Sequence, residues 1–217
     1  MATDENRDQA KSLFVVFEGA DGVGKSTQIP LVEERLKKIG LNTITTREPG
    51  GTPLGETVRN VVKQEHSLYP WSEFYLIQAA RIDHIGKVIE PALRKGCIVL
   101  VDRFTPSSLV YQGVLRDLGV SNVLSAIDRT EPAVDADLTL VLDSPKPMAG
   151  FEFSSSDNFE REGLSSWQKI RVAYLELAPR FGWKIIDANQ DQATVTEDLI
   201  TAITHLLKVK RSYHYDS

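Results

Sequence analysis

The chain alternates short, nearly continuous apolar runs with longer stretches in which apolar residues recur every three or four positions. Five runs read as strands: Leu13 to Phe17, Asn42 to Thr46, Cys97 to Val101, Leu138 to Leu142 and Trp183 to Asp187. Most are aliphatic or β-branched, the composition of strands buried on both faces of a parallel sheet. Between them, Ile29, Val32, Leu36 and Ile39 fall at helical spacing, as do Trp167, Ile170, Tyr174 and Leu177, and then Val195, Leu199, Ile203 and Leu206. Each set marks the buried stripe of one helix. Strand and helix in alternation predict an α/β fold: one five-stranded parallel sheet flanked by helices.

Local signals sharpen the boundaries. Thr52 before Pro53 predicts an N-cap with proline at the first helical position, and Thr194 with Glu197 predicts a capping box. Pro30 falls inside the first predicted helix and lacks an N–H, so a kink or an irregular second turn is expected. Ser144 to Gly163 is rich in Ser, Pro and Gly with little periodicity, and reads as a mobile lid within a single domain of residues 13–208. Residues 1–12 read as a polar extension and residues 209–217 as a polar, frayed tail.

Composition excludes several classes of function. With 25 Lys and Arg against 30 Asp and Glu, the net charge is −5, which argues against a nucleic-acid partner. The single cysteine, Cys97, sits in an apolar run and reads as a buried thiol in a reducing compartment. The first ten residues hold no apolar core of a signal peptide, and no run of about 18 apolar residues occurs; a cytoplasmic protein without a membrane partner is expected. His66, His84, His205 and His214 form no metal-ligand spacing, and Trp71, Trp167 and Trp183 read as packing residues.

The chemistry centres on Gly19-Ala20-Asp21-Gly22-Val23-Gly24-Lys25-Ser26, which satisfies G-x-x-x-x-G-K-[ST] between a strand and a helix. Glycines let the backbone curl so that successive N–H groups face an anion, reinforced by the positive end of the helix dipole. Lys25 supplies a point charge for the outer phosphates, Ser26 an oxygen for Mg²⁺, and Thr27 continues the loop into the helix. A signalling GTPase would need Asn-Lys-x-Asp, which is absent; Asp83-His84-Ile85-Gly86 matches a switch motif only by coincidence, inside a predicted helix.

Further on come Arg47-Glu48-Pro49-Gly50-Gly51-Thr52-Pro53, then Asp102-Arg103 with Ser107-Ser108 and Tyr111-Gln112-Gly113. Together with Phe17-Glu18-Gly19 these resemble bacterial thymidylate kinase, in matching order from about Leu13 to Leu206. The resemblance implies a three-layer P-loop kinase fold, a homodimer, and phosphorylation of dTMP to dTDP with ATP and Mg²⁺. It assigns Ser26 and Asp102 to the metal, and Arg103 and Arg59 to the acceptor phosphate. Arg81, Ser108 and Gln112 would read the base and Tyr111 flank the deoxyribose; Glu48 would border the acceptor, and Glu18 or Asp21 its sugar. Taken alone, Glu48 reads equally as a turn residue and Arg59 as a solvated helix arginine.

Two positions depart from the family pattern. Relatives place a stacking phenylalanine where this chain has Ile77, unless Phe74 or Tyr75 fills the place. The lid reads Asp157-Asn158-Phe159-Glu160, so Asn158 stands where relatives carry a transition-state arginine; Arg161 and Lys146 are the basic residues nearby. These departures leave two alternatives open: a kinase for another nucleotide such as dUMP, and a nucleotide-binding paralogue with little catalysis.

Overall fold

All five predicted strands form, each within one residue of its predicted bounds: β1 Leu13–Glu18, β2 Thr43–Arg47, β3 Ile98–Asp102, β4 Leu138–Asp143 and β5 Lys184–Asp187. They make one parallel sheet in the order β2-β3-β1-β4-β5. The computed structural model describes residues 12–65, 68–130, 132, 134–148, 151 and 163–215. Phe17 pairs with Asp102, and Asp102 with Arg47, so β1, β3 and β2 end level. The carboxyl edge of an open parallel sheet is where ligands bind.

The helices are α1 Lys25–Lys38, α2 Pro53–Gln64, α3 Pro70–His84, α4 Glu90–Arg94, α5 Thr105–Ser108, α6 Val120–Thr130, α7 Leu164–Phe181 and α8 Gln192–Tyr215. Two π-helical turns interrupt them, Ile85–Ile89 after α3 and Leu109–Leu115 after α5. Such turns frequently accompany functional sites. No described helix is long and apolar enough to cross a membrane.

β1 is buried on both sides, and its alternation divides the core. Leu13, Val15 and Phe17 pack with the stripes of α1, α7 and α8, while Phe14 and Val16 face Ile85, Ile89, Val99, Val101 and Phe104. At about 25 cal/mol per Å² of apolar area, this two-sided burial is the main force fixing β1 at the centre of the sheet.

Some expectations need correction. Helix α1 runs unbroken through Pro30. The bond that Pro30 cannot donate would have ended on Ser26 in the first turn, while Ile29, Val32 and Leu36 anchor the helix in the core. Thr52 caps α2 as expected, accepting from Gly55 N at 3.1 Å, but α8 starts earlier than the Thr194 capping box implied. Asp191 accepts from the amides of Ala193 and Thr194, and Glu197 pairs instead with Arg35. The tail expected to fray remains helical to Tyr215. Lys210 holds that helix to the sheet, through Ser12 O at 3.2 Å and Asp137 at 2.8 Å. Trp167 is buried and Trp183 packs against the core, whereas Trp71 is exposed at 38%.

Candidate active site

The glycine-rich loop joins β1 to α1, and three of its glycines have positive φ: 129° at Gly19, 74° at Gly22 and 96° at Gly24. L-residues rarely adopt these angles. Gly19 also lies so close to the Leu142 carbonyl of β4 that no side chain fits there. Lys25 is buried, and its Nζ donates to Gly19 O at 2.8 Å and Ala20 O at 2.9 Å. Burial and the nearby Arg103 push its pKa down, against the pull of Asp102, Asp21 and Glu18. From outside, Trp167 Nε1 donates to Asp21 O at 2.7 Å, Met148 N donates to Gly22 O at 2.9 Å, and Phe151 packs on Gly22.

The loop opens onto a cavity of about 440 Å³, where Asp21, Gly22, Gly24, Lys25 and Ser26 form one wall. Ala20 and Val23 are turned into the core and Thr27 is exposed outside that wall, so they shape the loop without lining the cavity; Gly19 likewise acts through its tight turn.

Asp102 and Arg103 follow at the end of β3. Asp102 Oδ1 is buried with no hydrogen-bond partner among the described residues. Buried polar atoms are nearly always satisfied, so such an atom in a cavity wall fits an oxygen ligand for a cation or its water. Arg103 adopts φ 69°, held by its N–H to Phe17 O at 2.9 Å. Its guanidinium pairs with Asp21 Oδ1 at 2.6 Å and lies 5.0 Å from the centre of the Tyr111 ring. Burial would raise the Asp21 pKa, but Arg103 and Lys25 override it and bring it to about 2.

Of the two carboxylates considered for the acceptor sugar, Asp21 lines the cavity and Glu18 does not. It is fully buried: Oε1 accepts from the amides of Phe104 and Ser107 at 2.9 and 3.1 Å. Oε2 accepts from Ser107 Oγ at 2.7 Å and Tyr174 Oη at 2.6 Å. Burial raises its pKa, partly offset by Arg103 and by these donors. Glu18 therefore braces the segment after β3 against α7, and Asp21 is the loop carboxylate that faces the cavity.

The opposite wall comes from α3 and the π-helical turn after α5. Arg81, 2% exposed, donates from Nε to Glu48 Oε2 at 2.6 Å, from NH1 to Gln78 at 3.3 Å and from NH2 to Ser108 Oγ at 3.1 Å. Glu48 turns its other oxygen to His84 Nδ1 at 2.9 Å, and His84 Nε2 meets Thr46 Oγ1 at 2.7 Å. Gln112 donates to Glu73, which also pairs with Arg116. Arg59 holds the Pro49 carbonyl at 3.2 Å. Ile77 lines the cavity; Phe74 belongs to the core and Tyr75 is 52% exposed, so neither replaces the family's stacking ring. The aromatic side chains in the wall are Phe104, Tyr111 and Phe151.

The structure brings Asp21, Lys25, Ser26, Glu48, Arg59, Ile77, Arg81, Asp102, Arg103, Ser108, Tyr111 and Gln112 to one cavity. Lys146 is exposed and does not line it; Asn158 and Arg161 lie outside the described residues. Glu73, His84, Ser107, Trp167 and Tyr174 were not singled out for the site from sequence. Glu73, Ile77, Arg81 and His84 nonetheless share one face of α3 at helical spacing, a signal that extends from Arg81 to both neighbours.

A parallel sheet with a glycine-rich loop at its central strand, a buried lysine and a strand-end aspartate define a P-loop phosphotransferase, a class of enzyme. The thymidylate kinase family model matches residues 17–199. The chain is 41% identical over 206 residues to thymidylate kinase of Pelotomaculum thermopropionicum, covering 91% of this chain and 95% of that protein. It is 38% identical to the thymidylate kinase of Pseudomonas fluorescens, covering 92% and 98%. The crystal structure of thymidylate kinase from Ehrlichia chaffeensis superimposes with a TM-score of 0.73 at 28% identity, covering 88% of this chain and 98% of that one. The chain belongs to the thymidylate kinase family.

Proposed function

We propose that this enzyme transfers the γ-phosphoryl group of ATP to the phosphate of dTMP, giving ADP and dTDP. The observation that carries the reading is that Lys25 of the phosphate loop and Arg81, Ser108 and Gln112 of the opposite wall line one cavity. The first group suits a triphosphate and the second the edge of a pyrimidine.

The attacking phosphate oxygen is already anionic, so no side chain need act as a strong base. Catalysis consists of positioning and charge neutralisation. Lys25, whose charge sits against the loop, takes the outer phosphates of ATP. Arg103 and Arg59 orient the acceptor phosphate, and Asp21 holds the Arg103 fork toward the loop. Tyr111, beneath Arg103, packs against the acceptor sugar. Ser26 Oγ and Asp102 would hold Mg²⁺, directly or through water, in keeping with the unpartnered Asp102 Oδ1. Bound there, the ion supplies positive charge to the β- and γ-phosphates.

The test is purified protein with ATP and Mg²⁺, assayed for ADP release with dTMP, dUMP, GMP and CMP. Turnover with dTMP above the others is the expected result; ATP binding without turnover of any acceptor would falsify the proposal.

A homodimer accompanies this reading. Tyr69, Trp71 and Tyr75 at the start of α3, with Leu54 and Val61 on α2, are large apolar side chains left exposed on two adjacent helices. Trp71 and Tyr75 stack with centroids 5.7 Å apart. A concentration of this kind suits association with a second copy.

A further inference from the structure

The amide of Gln112 has an orientation that chemistry dictates. Its Nε2 lies 2.7 Å from Glu73 Oε1, and the other carboxylate oxygen is taken by Arg116 at 2.6 Å. A carboxylate engaged by a guanidinium accepts hydrogen bonds and does not donate them. The Gln112 nitrogen must therefore point at Glu73, and Oε1 is the atom left over. Gln112 Oε1 has no hydrogen-bond partner among the described residues, and Gln112 and Glu73 are 3% and 1% exposed in the cavity wall. Beside it, Arg81 reaches Ser108 at 3.1 Å, four residues before Gln112, and is a donor only.

The wall thus sets an acceptor, Gln112 Oε1, near Arg81, a side chain that can only donate. Thymine and uracil carry the complement, an N3–H donor next to an O4 acceptor. Cytosine reverses both, with an N3 acceptor next to a 4-amino donor. Against this wall it would set acceptor against acceptor and donor against donor. A freely rotating Gln112 could turn its amide to meet cytosine at N3; one held by Glu73 cannot.

We propose that Glu73 is a positioning residue that makes the site select 4-oxo over 4-amino pyrimidine nucleotides by fixing the amide of Gln112. This rests on the reading that Arg81 and Gln112 face the base of the acceptor. Glu73 itself lies within the hydrogen-bonded pair and acts through Gln112, so its contribution belongs in acceptor binding and not in the rate of transfer.

The experiment measures kcat and KM for dTMP and dCMP with saturating ATP, in the wild type, Glu73→Gln and Glu73→Asp. A site built to bond one arrangement rejects the other by about 10³ or more. In Glu73→Gln, whose amide both donates and accepts, Gln112 is released to turn. The kcat/KM ratio of dTMP to dCMP should fall at least about tenfold, mainly through a higher KM for dTMP and a lower one for dCMP, with kcat within about twofold. If Glu73→Gln fails to fold, judged by its thermal transition, Glu73→Asp keeps the charge for Arg116 but retreats one methylene from Gln112. It should compress the ratio in the same direction. A folded variant that retains the wild-type ratio overturns the role of Glu73 while leaving the thymidylate reading intact. A wild type that binds dCMP as well as dTMP by calorimetry overturns the base-facing reading itself.

Discussion

Glu48 lies 2.6 Å from Arg81 through one carboxylate oxygen and 2.9 Å from His84 through the other, with all three side chains at most 3% exposed. The turn after β2 is thereby tied to α3 at the residue assigned to the base. Removing one partner from a buried charged pair leaves the other uncompensated, which costs about 3–5 kcal/mol. We expect Glu48→Gln to lose about that much in urea denaturation. Its KM for dTMP should rise about tenfold or more while that for ATP changes little.

Gly51 packs against the same cluster. Its φ is 74°, and a Cβ there would sit 2.5 Å from His84 Nε2 and 2.6 Å from Thr46 Oγ1. Gly51→Ala should cost about 2 kcal/mol or more, from the backbone angle and the displaced ring together. A denaturation midpoint lowered accordingly, with raised KM for the acceptor, is the expected result; an unchanged midpoint would show that His84 moves aside freely.

Lys25 supplies charge whose worth is realised in transfer. Lys25→Met keeps the length of the buried stem while removing the ammonium, so folding should survive and kcat should drop by about 10²–10³. A kcat reduced to that extent with an unshifted thermal transition separates this from a packing defect.

Asp21 and Arg103 set a pH dependence. The folded pKa of Asp21, about 2, lies below the ordinary carboxylate value near ~3.9. Stability from the pair is therefore present above the unfolded value and lost as pH falls through the folded one. A carbon-13 titration of the Asp21 carboxyl should show that low midpoint in the wild type and a rise toward the ordinary range in Arg103→Gln. The same midpoint in both would remove Arg103 as the cause.

The exposed aromatic group on α3 bears on assembly. Trp71→Lys places a charge in the proposed contact, so sedimentation should show dimers for the wild type and monomers for the variant. Dimers of unchanged stability would move the interface elsewhere.

Much of this was legible in the sequence because it is contiguous. The loop from Gly19 to Ser26 carries its meaning in eight adjacent residues, and β1 announces itself by the unbroken apolar run from Leu13 to Phe17. Relationships across the fold were harder. Glu18 sits beside the loop in sequence yet spends both oxygens on Phe104, Ser107 and Tyr174, partners 86 or more positions away. Periodicity cannot report such pairings, because a buried carboxylate at an apolar-strand end looks the same as one facing a ligand. Glu73 and His84 lay within reach, at helical spacing from Arg81, but only their hydrogen bonds separate them from a solvated face. Trp71 reads from sequence as a packing residue like Trp167 and Trp183; it does pack on Phe74 and Tyr75, but from the exposed side of α3, which a lone aromatic in a sequence cannot reveal.

The clasp of Trp167 and Met148 on the phosphate loop settles a question of polarity. A curled backbone offers anions its amide hydrogens, but every peptide unit that does so also carries a carbonyl oxygen of the opposite sign. Here the oxygens of Asp21 and Gly22 are occupied by an indole and a main-chain N–H from α7 and the segment after β4, and those of Gly19 and Ala20 by the ammonium of Lys25. The repulsive half of four successive dipoles is thus masked by the protein itself, and the half left to meet an anion, such as the proposed triphosphate, is the attractive one.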